Sequence, residues 1–362
     1  MYRIKNPQTQ EDVIVYELCD KEYKTIRPNN RVNRSHYPML PFYMRSLKTS
    51  KEETTPIPTC IEELDKLIDG GLQPGLYIFG ANPALGKTSL MLHIALNLAT
   101  TKHHCLYFNL EMSAFRITTR LLANCSYRES LTKDNYSIMS ISKLSKKSLY
   151  NDKTNKFNDK LKSLYDSYQD IISDYLHFIN YTDDNDCRSI DSIKISLENC
   201  KVCHSMTPVV IIDFLQLLKL QPSYGYDNEV TNSTILSDKR LETNEIIEQL
   251  QKLSKKYKVP ILAISSLSRG GYTKDNAELT DYAMSAFKES GSIEYTADFL
   301  ALLTRGDDNI NFGSADTKTV YINVLKNRYG KPDVKIPLEF IPEYSYFKDI
   351  KDDYEEGDYE DD

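Results

Sequence analysis

The sequence contains no tryptophan and only seven cysteines among its 362 residues. It also lacks any run of ~18 apolar residues, so no membrane-spanning helix is expected. Its first residues lack the apolar core of a secretory signal. An odd number of dispersed cysteines is typical of reduced thiols rather than of a disulfide framework. We therefore expect a cytoplasmic protein that does not engage a membrane.

Acidic charge is concentrated at one end of the chain. The formal net charge is −7, and residues 348–362 alone hold nine acidic and two basic side chains. The first 51 residues are basic, with ten Lys or Arg against five Asp or Glu. We divide the chain into a basic arm (1–52), a central domain (53–347) and an acidic tail (348–362), which self-repulsion would keep disordered. The tail could instead compete with nucleic acid, and the arm could contact nucleic acid or a neighbouring subunit.

The segment from Gly80 to Thr88 reads G-A-N-P-A-L-G-K-T. It follows the apolar stretch 76–79 and precedes a run with apolar residues at helical spacing. A strand, a tight loop and a helix form the context that a phosphate-binding loop requires. The backbone N–H groups of such a loop converge on an anion. The pattern departs from G-x-x-x-x-G-K-[ST] at its first position, which is Ala81.

This loop predicts a site for a nucleoside triphosphate with Mg²⁺. Lys87 is expected to neutralise the β- and γ-phosphates, and the Thr88 hydroxyl to ligate the metal. The predicted nucleotide-binding residues are Ala81, Asn82, Pro83, Ala84, Leu85, Gly86, Lys87, Thr88 and Ser89.

Apolar runs and amphipathic segments alternate from Pro56 onward. Thr59 followed by Glu62 predicts a capping box at the start of a helix. The run 208–213 is typical of a buried parallel strand. Further strands are predicted at 259–265, 299–304, 319–325 and 334–340. This alternation predicts an α/β fold whose mostly parallel sheet is covered by helices on both faces and ends in antiparallel strands.

Two carboxylates stand at the ends of predicted strands. Asp213 ends an aliphatic strand, from which a carboxylate can orient Mg²⁺, often through water. Glu111 follows the predicted strand 104–110 and is placed to activate a water for attack on the γ-phosphate. On spacing alone, a surface glutamate at a strand terminus is the simpler interpretation of Glu111.

Five segments occur in a fixed order: GANPALGKT, NLEMSA, VIIDFLQL, KESGSIEYTAD and LKNRYG. Together they resemble the C-terminal motor domain of DnaB-type replicative helicases over residues 56–347. That family commonly carries Ala-x-Pro in its phosphate loop, which accounts for Ala81. The resemblance implies a RecA-like P-loop NTPase fold, assembled into a ring that is usually a hexamer, with ATP bound between subunits.

The resemblance also implies roles for three residues outside the loop. Lys326 and Arg328 match the basic pair that reaches the neighbour's γ-phosphate as an arginine finger. Spacing alone would suggest a solvated face for this pair. Ser266 stands where the family has a glutamine that is thought to sense the γ-phosphate, and this departure puts the coupling in doubt.

Loops that face the centre of such a ring are expected to hold single-stranded DNA by its phosphates. Two segments fit, 221–240 and 269–288, and for each residue an exposed loop charge is an equal interpretation. The candidate DNA-binding residues are Lys239, Arg240, Arg269, Lys274 and Lys288.

The leading hypothesis is an ATP-driven ring helicase that unwinds forked DNA in replication, with a primase or a helicase loader as candidate partners. The segment before the motor does not resemble the family's helical collar domain, and a phage, plasmid or other mobile element would fit. The alternative is a RecA- or KaiC-like ATPase that assembles or signals on DNA without unwinding. A non-enzymatic ring subunit is a third interpretation, and the intact Lys87, Thr88, Glu111 and Asp213 speak against it.

Overall fold

The structure is a computed structural model that divides into two compact units, Met1–Thr55 and Pro56–Asp362. It describes residues 2–5, 12–18, 22–26, 55–81, 85–134, 136, 138–145, 150–151, 156–157, 159–181, 187–204, 206–220, 239–266, 291–306 and 317–350. In the first unit, strands β1 (Tyr2–Lys5), β2 (Asp12–Leu18) and β3 (Glu22–Ile26) form an antiparallel sheet in that order.

The second unit alternates helices and strands. Its helices are α1 (Glu62–Leu67), α2 (Lys87–Thr100), α3 (Ala114–Thr132), α4 (Ile141–Leu144), α5 (Asp159–Tyr175), α6 (Ile190–His204), α7 (Lys239–Tyr257) and α8 (Gly291–Thr296), with 3₁₀ turns at Leu215–Leu217 and Pro342–Tyr344. Its strands are β4 (Gly75–Ala81), β5 (Cys105–Asn109), β6 (Tyr150–Asn151), β7 (Lys156–Phe157), β8 (Leu176–Asn180), β9 (Val209–Asp213), β10 (Pro260–Ser266), β11 (Phe299–Arg305), β12 (Lys318–Asn327), β13 (Val334–Ile341) and β14 (Tyr346–Asp349).

Nine of these strands form one mixed sheet in the order β14-β13-β12-β11-β4-β10-β9-β5-β8. The six from β11 to β8 are parallel, whereas β12, β13 and β14 pair antiparallel at one side. The predicted parallel sheet with antiparallel C-terminal strands is therefore confirmed. The last strand, β14, extends to Asp349 and so into the segment predicted as the acidic tail.

Alternate residues of the central strands pack on opposite faces of the sheet. In β4, Tyr77 and Phe79 belong to a core with α2 and α3, whereas Leu76 and Ile78 belong to a second core with α6 and α7. All seven residues of β4 are buried, as are all five of β9. Burial on both faces explains why these strands are continuous apolar runs.

The register places the functional segments at two ends of the sheet. Ala81 pairs with Ser266 and Asn109 with Asp213, so the carboxyl ends of four parallel strands meet at one edge. At the opposite edge, Asn327 of β12 pairs with Phe299 at the start of β11. We call these the carboxyl end and the amino end of the sheet.

The start of α1 differs from the prediction. Its N-cap is Ile61, which makes no side-chain cap, so the predicted Thr59–Glu62 capping box is wrong. Asp65 instead reaches back and accepts hydrogen bonds from Thr59 N at 2.8 Å, Thr59 Oγ1 at 2.7 Å and Cys60 N at 2.9 Å. A carboxylate has room for several donors, and it therefore replaces the reciprocal pair. Among the described residues, no helix has the length and apolar character to cross a membrane.

Candidate functional site

A cavity of about 940 Å³ opens at the carboxyl end of the sheet. It brings together residues that are far apart in the chain, from the phosphate loop, the β5–α3 connection and the ends of β9 and β10. Of the predicted site residues, it is lined by Gly86, Lys87, Thr88, Ser89, Glu111, Asp213 and Ser266. The sequence-based grouping of these seven is thus reproduced in space, while Lys326 and Arg328 do not line it.

The phosphate loop ends in a left-handed turn at Gly86, with φ at 86°. A Cβ atom at this position would lie 2.8 Å from ring carbons of Phe340, so the turn needs glycine for both its conformation and its space. Lys87 begins α2, and its Nζ donates to the carbonyl of Ala81 at 2.9 Å. Burial lowers the pKa of Lys87, an effect that the charges of Glu111 and Asp213 oppose. Asn82, Pro83 and Ala84 lie outside the described residues.

Asp213 is a buried carboxylate at the last position of β9. Burial raises its pKa to about 6, although hydrogen bonds from the Thr88 and Tyr107 side chains act in the opposite direction. The Tyr107 hydroxyl donates to Oδ2 at 3.1 Å. Glu111 adds repulsion and Lys87 attraction. The site therefore holds a carboxylate whose charge is disfavoured, a state that a bound cation would reverse.

Glu111 projects into the cavity from a loop that a neighbouring amide fixes. Asn109 donates to the carbonyl of Met112 at 2.6 Å and accepts from its N–H at 3.2 Å. The same amide donates to Asn180 Oδ1 on β8 at 2.8 Å. Glu111 itself is exposed. The main chain that carries Glu111 is thus fixed by Asn109, and its exposed carboxylate is open to water.

Ser266, the last residue of β10, is held by Gln216. The Gln216 side chain accepts from Ser266 N at 3.1 Å and donates to Ser266 O at 3.2 Å. It also donates to Ser265 Oγ at 2.9 Å. Gln216 therefore fixes the main chain at the edge of the cavity where the short Ser266 side chain lies.

Two arginines of α3, Arg116 and Arg120, also line the cavity, and sequence reasoning missed them. Arg120 donates to Ser89 Oγ at 3.2 Å and to Ser345 Oγ at 3.5 Å. Burial lowers its pKa, which the charge of Asp213 opposes. Their four-residue spacing puts both on one face of a helix. Had α3 been recognised as a helix in the sequence, this spacing would have placed both arginines on the same face.

Lys326 and Arg328 lie at the amino end of the sheet. Lys326 Nζ donates to the carbonyls of Glu294 and Tyr295 at 2.6 and 3.1 Å. Arg328 donates to Asp298 Oδ1 at 2.6 Å and to the Tyr295 carbonyl at 3.1 Å. Burial and the adjacent Arg328 lower the pKa of Lys326.

The amino-end position separates this basic pair from the cavity of its own chain. Arg328 N bonds to Asp298 O, and Asp298 N bonds to Leu76 O near the start of β4. Five residue steps along the strand then lead from Leu76 to Ala81, which corresponds to about 15 Å. The two ends of one subunit therefore cannot act on the same small group.

The candidate DNA-binding residues are not tested. Lys239 and Arg240 begin α7, but their side chains are outside the described part of the chain. Arg269, Lys274 and Lys288 also lie outside the described residues.

Comparison with known proteins gives a consistent match. The model of the DnaB-like helicase C-terminal domain matches residues 56–349. The replicative DNA helicase DnaB of Geobacillus stearothermophilus is 30% identical over 306 residues, which cover 84% of this chain and 59% of that protein. The replicative DNA helicase DnaC of Bacillus subtilis is 27% identical over 351 residues, covering 95% of this chain and 69% of that protein.

Solved structures share the fold. One solved ATPase domain matches with a TM-score of 0.62 and 22% identity, over 86% of this chain and 98% of that domain. A DnaB-like replicative helicase, described with its interactions with primase, matches with a TM-score of 0.63 and 21% identity, over 87% of this chain and 68% of that protein. The predicted RecA-like fold is thereby confirmed. Since the family model covers most of its length, this chain belongs to the DnaB-like helicase C-terminal domain family.

Proposed function

We propose that this chain is the motor of an ATP-driven, ring-forming helicase that moves along single-stranded DNA and separates forked duplex during replication. The observation that carries the proposal is the cavity in which Lys87, Thr88, Glu111 and Asp213 meet at the carboxyl end of the sheet. Membership in a family of replicative helicase motors supports the substrate. The chain spans 59% of the length of its Geobacillus relative, so the activity of the whole relative is carried over as a proposal.

The residues present fit ATP with Mg²⁺. On the anion side, the Gly86 turn leads into the 14-residue helix α2, whose amino end and Lys87 favour phosphates. On the cation side, Thr88 and the buried Asp213 supply oxygen ligands of the kind that Mg²⁺ prefers. ATP, when bound, supplies the phosphoanhydride bond that hydrolysis breaks. Ala81, Asn82, Pro83, Ala84, Leu85 and Ser89 are proposed to complete the loop around the phosphates.

Glu111 is proposed to orient a water molecule and accept its proton. The carboxylate is exposed at the cavity, where it can meet water, and Asn109 and Asn180 hold the loop that carries it. Ser266 occupies the edge of the same cavity, at the family's γ-phosphate-sensing position. Its hydroxyl is shorter than the usual glutamine, and coupling through this residue is proposed to depend on the main chain that Gln216 holds.

Lys326 and Arg328 are proposed to serve the cavity of a neighbouring subunit. At about 15 Å along the strands, they are too far from their own phosphate loop to contact a bound γ-phosphate. A cation supplied across a subunit interface stabilises the charge that develops in phosphoryl transfer. A closed ring, a hexamer by family resemblance, gives every cavity one such pair.

The DNA is proposed to run through the ring centre, held by Lys239, Arg240, Arg269, Lys274 and Lys288. Contacts of this kind are made to phosphates, so the affinity should fall steeply with salt. A primase or a helicase loader is the proposed protein partner; primase is named with one of the related structures.

A RecA- or KaiC-like ATPase that does not unwind remains the second candidate, because it would share Lys87 and Asp213. The test is ATP turnover with and without single-stranded DNA, together with unwinding of a forked duplex. Glu111→Gln is compared with Glu343→Gln, which changes an exposed carboxylate outside the cavity. DNA-stimulated turnover and unwinding, both lost only in Glu111→Gln, support the helicase. Turnover without unwinding favours the second candidate.

A further inference from the structure

Two of the most exposed large apolar side chains stand next to the two halves of the proposed catalytic site. Tyr295 is 76% exposed and Phe115 is 62% exposed. Single exposed apolar residues are normal on a protein surface, so exposure alone points to nothing. These two side chains are of interest because each lies beside the charged residues at one end of the sheet.

Tyr295 helps to hold the basic pair Lys326 and Arg328, which we describe as its mount. Its carbonyl accepts from Lys326 Nζ and from an Arg328 nitrogen, both at 3.1 Å. The ring therefore projects from the residue that both cations contact. Any surface that Lys326 and Arg328 approach must also come close to this ring.

Phe115 belongs to the rim of the cavity. It lies in the first turn of α3, between Ser113 and Arg116, which line the cavity, and four residues after Glu111. Glu111, Arg116 and Arg120 line this side of the cavity, whereas Lys326 and Arg328 stand at the opposite end of the sheet beside Asp298. Each end therefore carries one exposed aromatic ring beside charged groups, and in the proposed function both sets of cations meet the same bound triphosphate.

We infer that the Tyr295 ring of one subunit packs on the Phe115–Arg116 rim of the next, so that the partner surface is a second copy of this chain. The inference rests on the proposed function, in which Lys326, Arg328 and the neighbour's Glu111 surround one γ-phosphate. Tyrosine in a desolvated contact often dominates an interface, and an arginine can stack on its ring. The contact would fix how far the basic pair enters the neighbour's cavity.

The direct test is a chemical cross-link between neighbouring subunits of the assembled full-length protein. The double variant Tyr295→Cys/Phe115→Cys is made in a background where the exposed native thiol is removed by Cys60→Ser, and it is treated with a short bismaleimide in the presence of Mg²⁺ and a non-hydrolysable ATP analogue. Both sites are exposed, so the variant is expected to fold. The expected result is a ladder of covalent oligomers on a denaturing gel, absent from either single variant and from Tyr165→Cys/Phe115→Cys. Tyr165 is a matched control because it is also exposed, at 56%, but lies on α5.

A second measurement reads the strength of assembly by sedimentation. Tyr295→Ala and Phe115→Ala should each raise the protein concentration needed for half-assembly by about tenfold, the effect of losing an interface aromatic. Tyr165→Ala and Leu131→Ala, the latter 60% exposed at the far end of α3, should leave it unchanged.

The possible failures are separable. An assembled protein that gives no ladder overturns the contact between Tyr295 and Phe115 and leaves the ring intact. A protein that stays monomeric at all concentrations overturns both the contact and the ring. A specific ladder in a protein that hydrolyses no ATP supports the contact and counts against the motor function.

Discussion

The two ends of the sheet carry the two parts, or half-sites, of the proposed ATPase site, and they differ in shape and in charge. At the carboxyl end, a concave cavity holds a buried carboxylate, Asp213, together with the half-buried amine of Lys87. At the amino end, Lys326 and Arg328 are held against main-chain carbonyls on the surface. Burial lowers the pKa of both lysines and acidic neighbours oppose this at both, but only Lys326 has an adjacent cation, Arg328, that lowers its pKa further.

The difference bears on what one subunit can do alone. The carboxyl end contains the groups proposed to bind phosphate and a divalent cation, and Lys87 and Asp213 among them hydrogen-bond to neighbours in the same chain. The amino end contains cations that have no phosphate within reach in their own chain. The first half-site is therefore expected to bind nucleotide in a monomer, whereas turnover requires both halves from two subunits.

The largest effect should come from removing Arg328, the proposed arginine finger. Arg328→Ala is expected to lower ATP turnover by about 10³-fold or more, since a cation supplied to a phosphoryl-transfer site has that effect. Nucleotide affinity, measured by titration with a fluorescent ATP analogue, should stay within a few-fold of wild type. Lys331→Ala is the control, because Lys331 is an exposed cation in the turn after β12.

Subunit mixing decides whether the finger acts in trans. Arg328→Ala and Lys87→Ala are each expected to be inactive, but a mixture contains interfaces with an intact finger facing an intact loop. Turnover should reappear in the mixture. Failure to recover any activity would contradict the trans assignment, as would full turnover by Arg328→Ala alone.

The second effect is on stability and tests the burial of Asp213. Its pKa is about 6 in the folded protein and 3.8 in the unfolded chain. The folded state binds the proton more tightly, so the stability of the nucleotide-free protein falls as the pH rises through this window. Asp213→Asn removes that loss and should raise the free energy of unfolding by about 3 kcal/mol at pH 7.5 but only about 1 kcal/mol at pH 4.5.

Urea unfolding at the two pH values, without Mg²⁺, measures the Asp213 effect. Asp191→Asn, at an exposed position on α6, is the control. An equal gain at both pH values would show that Asp213 is not the titrating group. The variant should bind Mg²⁺-nucleotide poorly. Its gain in the free energy of unfolding would then measure how much stability the nucleotide-free protein loses by keeping a carboxylate at this buried position.

The carboxyl end was largely predictable from the sequence because its key residues sit in short contiguous motifs. Gly86, Lys87 and Thr88 form one loop, and Asp213 and Glu111 each follow an apolar strand that brings them to the same edge. The residues that support them could not be predicted. Asn109 and Gln216 act on main-chain atoms of the nearby loops, and their amides carry no pattern that separates this role from solvation.

Prediction also failed where a local motif had a better competitor. Thr59 and Glu62 have the spacing of a capping box, but Asp65 accepts three hydrogen bonds from the same segment. The strand β8 and the helix α3 were missed as well. Because α3 was not predicted, Arg116 and Arg120 could not be placed in the cavity. Only the spacing of a helix brings these two residues to the same face.

The third effect compares glycines from the two ends. Gly86→Ala forces a left-handed φ on alanine and places Cβ 2.8 Å from the Phe340 ring. We expect a loss of about 1–2 kcal/mol in stability from the backbone alone. Nucleotide affinity should fall too, because the turn sets the amide groups of the phosphate loop.

Gly330→Ala provides the contrast at the amino end. A Cβ there would lie 2.5 Å from the carbonyl oxygen of Leu67, so the turn must move away from α1. This variant should lose stability but keep its nucleotide affinity. Both properties are read by thermal unfolding with and without the ATP analogue. Equal losses of affinity in the two variants would erase the distinction between the two ends.

The smallest expected effect comes from two glutamines, each of which holds main-chain atoms at one end of the sheet. Gln216 holds the main chain of Ser266 beside the cavity, and Gln251 donates to the carbonyl of Thr296 at 2.6 Å, at the end of the helix that mounts the basic pair. Gln251→Ala should cost about 1 kcal/mol of stability, the usual value of one such hydrogen bond, and Gln216→Ala, which loses three, about 1–3 kcal/mol.

Their functional effects should differ because the two half-sites act in different steps. Gln216→Ala loosens the cavity, so nucleotide affinity and turnover should both fall in a subunit that keeps a sound finger. Gln251→Ala loosens only the mount of Lys326 and Arg328, so turnover should fall severalfold while monomer affinity is unchanged. A Lys87→Ala subunit has no working cavity but supplies an intact basic pair, so mixing with it should leave the Gln216→Ala defect in place and partly relieve that of Gln251→Ala. A reversed assignment would mean that the two ends of the sheet do not divide binding from turnover.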